Sequence, residues 1–375
     1  MMYVTNTYLK LNKMQLLVLP VSGGGFVVQL AQIQRLCEVD YHPDVTLASS
    51  GGNVSAYIAA AADWKWSGVE RIASQLDQGL FVRPWSSFSP LSFAMGFFRG
   101  NIYTQGIGAY HFLQEQFTPR SILKYEIWTG TYNEKRQRSR LFCNRREEDA
   151  LLKVSHVNPD LTQSMEPVFM NGDLQMISIA AMASASVPAI VPGQVIEGET
   201  YIDGGIAGAS PLTILSEAVL ATARRREKLH LTYLNSLDLN TPKRLPIFNV
   251  VDTLRRATSD LVRSQTVIDR LAAYSLLQRQ RGEILANEFP CTLENLRRVQ
   301  GIRELVQYSL LELYPGQDYD IDMTSFNGRV VVNGMHRAYQ DCHCRLWWIP
   351  NVHEATVNSL IEQYAWSSTP TLEEE

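Results

Sequence analysis

Two short apolar runs near the start of the chain constrain the fold more than any other feature. Each is followed by a turn of very small residues and then by a helical pattern. Residues 15 to 20 form a continuous apolar run (Leu16, Leu17, Val18, Leu19), as expected of a strand buried on both faces. Ser22-Gly23-Gly24-Gly25 follows, then apolar Val27, Leu30, Ala31, Ile33 and Cys37 at helical spacing. A second strand, residues 44 to 47, leads into Ala48-Ser49-Ser50-Gly51-Gly52-Asn53 and a helix through Val54, Tyr57, Ile58 and Ala61 to about Asp63. Two such units within 65 residues imply an α/β protein: a three-layer α/β/α arrangement around a mainly parallel sheet. Both turns then belong at the carboxyl ends of their strands, where such folds keep their sites.

The two turns carry different chemistry. A serine at a sharp strand-to-helix corner is pushed out of the sheet and exposed at a helix N-terminus, the geometry of a nucleophile elbow. Such a corner needs small residues two positions either side of the serine. Centred on Ser50 these are Ala48 and Gly52; centred on Ser49, bulky Leu47 would occupy one of them. Ser50 is therefore the expected nucleophile. At the glycine turn, backbone N–H groups gathered at a helix N-terminus suit negative charge. A tight βα turn is the plainer reading of the same residues. The G-x-G-x-x-G spacing of a dinucleotide site is absent.

Bulk properties narrow the partners. The net charge of −4 argues against a general nucleic-acid binder. Five cysteines, odd in number and scattered, read as free thiols rather than a disulfide framework. The apolar run Met14 to Val21 is broken by Pro20 and is too short for a membrane span or a good secretory signal, so cytoplasmic residence is the expectation.

Further along, residues 81 to 117 are crowded with aromatics, among them Trp85, Phe88, Phe93, Phe97, Phe98 and Phe112. They read either as a second core under long loops or as an apolar cleft for acyl chains that also meets a lipid surface. Residues 125 to 132 and 139 to 144 form a hairpin whose cluster of Lys135, Arg136, Arg138, Arg140, Arg145 and Arg146 is either a solvated face or a contact for anionic headgroups. Residues 175 to 186 suit a helix that Pro188 stops. A strand pair around Glu197-Gly198-Glu199 ends in Tyr201-Ile202-Asp203-Gly204-Gly205, and Pro211 opens a helix ending in Arg224-Arg225-Arg226. Leu229 to Leu234 is a strand. The last third reads as mainly helical: 254 to 275, Leu293 to Leu311 and 354 to 364, with strands at Val330 to Val332 and Arg345 to Ile349. No linker forces a boundary, so residues 14–366 are taken as a single domain, with core motifs in 14–236, a mainly helical part in 237–366 and a disordered acidic tail in 367–375.

Four pieces in fixed order resemble the patatin-like phospholipase family: Ser22-Gly23-Gly24-Gly25-Phe26, Ala48-Ser49-Ser50-Gly51-Gly52, Ala183-Ser184-Ala185-Ser186-Val187-Pro188 and Tyr201-Ile202-Asp203-Gly204-Gly205. The first is also similar in wording to the cytosolic phospholipases A. The resemblance implies a lipid acyl hydrolase with a Ser–Asp dyad, Ser50 as nucleophile and Asp203 as its base. It further implies an oxyanion hole from the amides of Gly23, Gly24 and Gly25, with Gly204 and Gly205 shaping the acid's turn. No cofactor and no metal are implied; a lipid substrate and peripheral contact with a lipid surface are. Where the family usually has a basic residue and then glycine, this chain has Val27 and Val28, so Val27→Arg is expected to raise turnover if the missing charge limits it.

Two other readings stand beside this one. A patatin-fold protein could bind lipid or a protein partner without turnover. A Ser-His-Asp esterase would need His230, His336, His343 or His353 beside Ser50. Cys342-His343-Cys344 lacks the second cysteine pair of a structural zinc site.

Overall fold

The computed structural model describes residues 13–84, 103–105, 107–154, 165–188, 190–206, 208, 210–226, 228–237, 250–280, 282–317, 319 and 327–349. Its centre is a run of parallel strands. Strand β1 (Lys13–Leu19) lies between β2 (Val45–Ser49) and β10 (Lys228–Leu234), parallel to both. Outside these lie β5 (Glu126–Asn133) next to β2 and β12 (Tyr308–Pro315) next to β10, again parallel. Antiparallel pairs finish both sides. On one side β13 (Cys342–Ile349) joins β12, and β11 (Leu285–Pro290) joins β13. On the other, β6 (Arg138–Cys143) pairs antiparallel with β5, and β7 (Met165–Phe169) pairs parallel with β6. The hairpin of β8 (Gln194–Ile196) and β9 (Glu199–Asp203) attaches through β9 to the end of β5. A separate two-stranded ribbon pairs β3 (Val82–Pro84) with β4 (Tyr103–Gln105).

The alternation of side chains along β1 builds two cores from one strand, because successive residues of a strand face opposite sides. Leu17 and Leu19 enter a core with helices α1 (Phe26–Cys37), α2 (Gly51–Ala61) and α3 (Trp66–Ala73). The same layer contains Phe112 and Leu113 of α4 (Ile107–Gln116) and Ile177, Ala180 and Ala183 of α5 (Leu174–Ser184). Met14, Leu16 and Val18 enter a second core with α6 (Pro211–Arg226) and α7 (Val250–Gln278). Every leucine of β1 is fully buried, which is worth about 2 kcal/mol per side chain. The three-layer α/β/α arrangement expected from the sequence is the one observed.

Two expectations in the last third fail. The stretch from Leu293 to Leu311 is not one helix: α8 (Leu293–Leu305) stops at Val306, which is extended, and β12 begins at Tyr308. Seven of the eight β12 residues are buried, so the run satisfied its hydrophobicity as a central strand, which periodicity alone does not distinguish from a buried helix. Val330-Val331-Val332 is not a strand but lies in α9 (Gly328–Gln340). The Asn327 side chain caps that helix by accepting the Val330 N–H at 3.1 Å, and Val331, Met335 and Ala338 form its buried face. Here the cap and the packing against α1 outweigh the β-propensity of valine. The expected helix at 354–364, the acidic tail and the aromatics at 85–102 lie outside the described residues.

Candidate active site

The corner after β2 has the strain a nucleophile elbow requires. Ser50 has φ 53° and ψ −132°, a region that non-glycine residues rarely adopt. It precedes the first residue of α2, and its carbonyl accepts the Asn53 N–H at 3.0 Å. Close packing holds the corner in place. A Cβ at Gly52 would sit 2.5 Å from the Pro20 carbonyl oxygen, and one at Gly51 would sit 2.5 Å from that of Gly23. Only glycine lets α2 start this close to the end of β1 and to the glycine loop. Further along α2, Asn53 and Tyr57 meet Thr129 of β5, whose hydroxyl donates to Asn53 Oδ1 at 3.0 Å. Ala48 is the small buried residue two before the serine. Ser49 is buried at the end of β2, its hydroxyl without a hydrogen-bond partner among the described residues, so Ser50 is the serine at the turn.

Ser50 differs from expectation in one respect. The corner was expected to leave it exposed, but it is 2 % exposed. The glycine loop, the end of α5 and the Asp203 turn converge on it from three sides.

Asp203 stands at the last position of β9 and is fully buried. Its Oδ1 accepts the N–H groups of Gly205 at 2.8 Å and Ile206 at 3.2 Å, while Oδ2 has no well-formed hydrogen bond. Burial pushes the carboxyl up to about 7; the neighbouring Ser50 hydroxyl and the two amides pull the other way. Serine and acid, 153 residues apart in sequence, are thus brought together. The acid's turn is as tight as the serine's, since a Cβ at Gly204 would lie 2.5 Å from the carbonyl of Gly130 in β5 and one at Gly205 would lie 2.6 Å from Val21.

The glycine loop forms a single 3-10 turn, Gly23–Gly25, leading into α1. Gly25 N–H donates to Ser22 O at 2.8 Å, so this amide is already engaged. Among the described residues the Gly23 and Gly24 N–H groups have no acceptor. Gly23 has φ +50°, a left-handed backbone that glycine adopts without strain, and its carbonyl lies against Gly51 at the elbow. Gln29 of α1 braces the loop: its Nε2 donates to Pro20 O at 3.1 Å and to Leu234 O at 3.3 Å, and its Oε1 accepts from Ser22 Oγ at 3.1 Å. Gly51 N–H, first in α2, has no helical acceptor and adds a third donor beside Ser50.

Two residues that sequence reasoning assigned no role contribute here. Gln29 gave no signal, being one polar residue within a helix. Ser184 sits in a motif already singled out; its Oγ accepts the Ser50 N–H at 3.0 Å and donates to Gly130 O at 2.6 Å.

The histidines required by a triad are engaged elsewhere. His230 Nδ1 lies 2.9 Å from Ser309 Oγ early in β10, far along the sheet from the carboxyl ends. His336 pairs with Glu70 at 3.2 Å, and His343 stacks on Tyr314. His353 lies outside the described residues. In the basic hairpin Arg136 bonds Glu199 and Arg140 faces Glu197, while Lys135, Arg136 and Arg138 are exposed. Val27 and Val28, where a basic residue and a glycine were noted as missing, are buried in the core.

These features meet in a known family. The Patatin family, described as patatin-like phospholipase, matches residues 19–216, more than half of the chain. The chain belongs to the patatin-like phospholipase family. That family is one of lipid acyl hydrolases, and its matched segment contains both turns, the Ser184 motif and Asp203. No curated protein matches the chain. Among solved structures, VipD from Legionella pneumophila is similar over 88 % of this chain and 67 % of its own, with 11 % identity and a TM-score of 0.31, a likeness too distant to bear on function. Among the described residues, no helix of this patatin-family chain is long and apolar enough to cross a membrane.

Proposed function

We propose that this chain hydrolyses carboxyl esters of phospholipids or neutral lipids, with Ser50 as nucleophile and Asp203 as its general base. The observation that carries the reading is the meeting of a strained serine with a fully buried acid on whose carboxyl the serine hydroxyl acts. In this reading Asp203 takes the Ser50 proton as Oγ attacks the ester carbonyl. A base with a pKa near 7 suits that step at neutral pH. The developing oxyanion receives the N–H groups of Gly23 and Gly24, with Gly51 at the positive end of α2; each such donor is worth on the order of 100-fold in rate. Collapse expels the alcohol, which takes the proton held by Asp203, and leaves an acyl-Ser50 ester. Water, deprotonated by Asp203, then releases the fatty acid and restores the serine. Such a substrate brings the protein to a lipid surface.

A second reading, a lipid- or protein-binding member of the family without turnover, is favoured by the burial of Ser50 and by valines at positions 27 and 28. The test is labelling with a fluorophosphonate probe, alongside fatty-acid release from phosphatidylcholine vesicles and a triacylglycerol emulsion. The hydrolase reading expects wild type to label, and Ser50→Ala and Asp203→Asn to lose both labelling and release. A wild type that neither labels nor releases fatty acid is the result that favours binding without turnover.

A further inference from the structure

We infer that Ser184 is a positioning residue for the nucleophile: its hydroxyl holds the Ser50 backbone in the strained conformation on which the proposed hydrolysis depends. The inference rests on the catalytic reading of Ser50 above.

A positive φ on serine persists only where the surroundings over-determine it, and it costs about 1 to 3 kcal/mol. The Ser50 N–H is buried and its hydrogen-bond acceptor is Ser184 Oγ at 3.0 Å. A hydroxyl has one proton to give. Ser184 donates it to Gly130 O at 2.6 Å, which aims a lone pair at Ser50. Ser184 itself is fully buried at the last position of α5, so no water substitutes easily for it. Alanine there would leave the Ser50 N–H buried without an acceptor, weakening the hold on the turn.

The same stretch of chain also governs the acid. Two residues on, the Ser186 carbonyl accepts the Asp203 N–H at 3.0 Å. Gly130, the partner of Ser184, is the residue against which Gly204 packs. The end of α5 is therefore bonded to the backbone of both Ser50 and Asp203, and it joins two turns that come from distant parts of the sequence. This gives the Ala183-Ser184-Ala185-Ser186-Val187-Pro188 motif a physical task.

Ser178, in the same helix and away from both turns, supplies the control. Its hydroxyl is also buried but donates to Leu174 O at 2.7 Å, within its own helical turn. Ser178→Ala therefore removes a buried hydroxyl without touching Ser50 or Asp203. The experiment measures kcat, KM, pH profile and fluorophosphonate labelling rate for wild type, Ser184→Ala, Ser184→Thr and Ser178→Ala. It adds amide hydrogen exchange at Ser50 for each. Ser184→Ala is expected to lower kcat and labelling by about 10-fold or more, leave KM within about twofold, and keep the inflection near pH 7. Its Ser50 amide should exchange at least about 10-fold faster than in Ser178→Ala. Ser184→Thr, which keeps the hydroxyl, should restore most of kcat, and it stands in should the alanine variant not fold. Equal kcat in the two alanine variants, or equal Ser50 exchange, overturns the inference. So does a folded Ser184→Thr that is as slow as Ser184→Ala. A wild type that takes up no label overturns the catalytic reading instead, and with it any role of Ser184 in catalysis.

Discussion

Gly205 donates its backbone N–H to Asp203 Oδ1 at 2.8 Å, which commits one carboxyl oxygen to the turn, while the Ser50 hydroxyl is the side chain that acts on the carboxyl. Burial dominates the titration of this group and raises it from 3.8 to about 7. Activity should therefore climb about tenfold per pH unit up to about pH 7 and then level, as the base ionises. The same shift has a cost in stability. Between roughly pH 4 and 7 the folded chain holds a proton that the unfolded chain has lost, so stability falls as pH rises through that window. Above it the buried charge costs on the order of 4 kcal/mol. Asp203→Asn, an inactive variant in the proposed mechanism, should unfold at higher urea than wild type at pH 8 and at nearly the same urea near pH 4. Urea titrations at the two pH values check this.

Gly52 and Gly301 contrast a required glycine with a free one. A methyl at Gly52 would press on the carbonyls of Leu19 and Pro20, and backbone cannot move aside as a side chain can. Gly52→Ala should cost more than about 3 kcal/mol or prevent folding. Gly301 lies inside α8 with nothing near its missing Cβ, so Gly301→Ala should stabilise by about 0.5 to 1 kcal/mol. Thermal melts of the two variants should move in opposite directions.

Val27→Arg is expected to lower stability rather than raise turnover. Val27 is fully buried in the core shared by α1 and the sheet. An arginine there would bury a charge without a partner, at a cost of several kcal/mol. Soluble yield and melting temperature should both fall. A well-folded Val27→Arg with faster lipid hydrolysis would show that the position opens toward substrate.

The cysteines should be slow to react. Cys143, Cys291, Cys342 and Cys344 are buried and Cys37 is partly so, and all are free. Burial is the main cause of the raised Cys37 and Cys143 thiols, with Cys37 at about 12, so few thiolates are present at neutral pH. An aromatic disulfide reagent should titrate five thiols in guanidinium chloride and none rapidly in the folded chain.

Much of this molecule was legible because the signals are local. A continuous apolar run, a turn of glycines and a helix period can be read within 20 residues, and β1, α1, β2, α2, the β5–β6 hairpin and α6 all fall where those patterns put them. What misled were apolar stretches whose partners are distant. The end of the Leu293 to Leu311 stretch was expected to continue a helix, but from Tyr308 it is a central strand because β10 and β13 flank it. Val330 to Val332 fits a strand by propensity and became a helix because Asn327 caps it and α1 covers it.

The sequence by itself determined the α/β class, the two small-residue turns and which serine and acid stand at the sharp corners. These depend on steric rules acting between neighbours in the chain. Only the tertiary structure decided that Ser50 is closed off from solvent, that Gly25 gives its amide to its own turn while Gly23 and Gly24 keep theirs, and that Ser184 is hydrogen-bonded to the Ser50 backbone. Hydrogen bonds and burial are properties of groups brought together through space. Ser50 and Asp203 stand at strand ends, Gly130 within β5 and Ser184 at a helix terminus, and no sequence spacing encodes which of their lone pairs and N–H groups will meet.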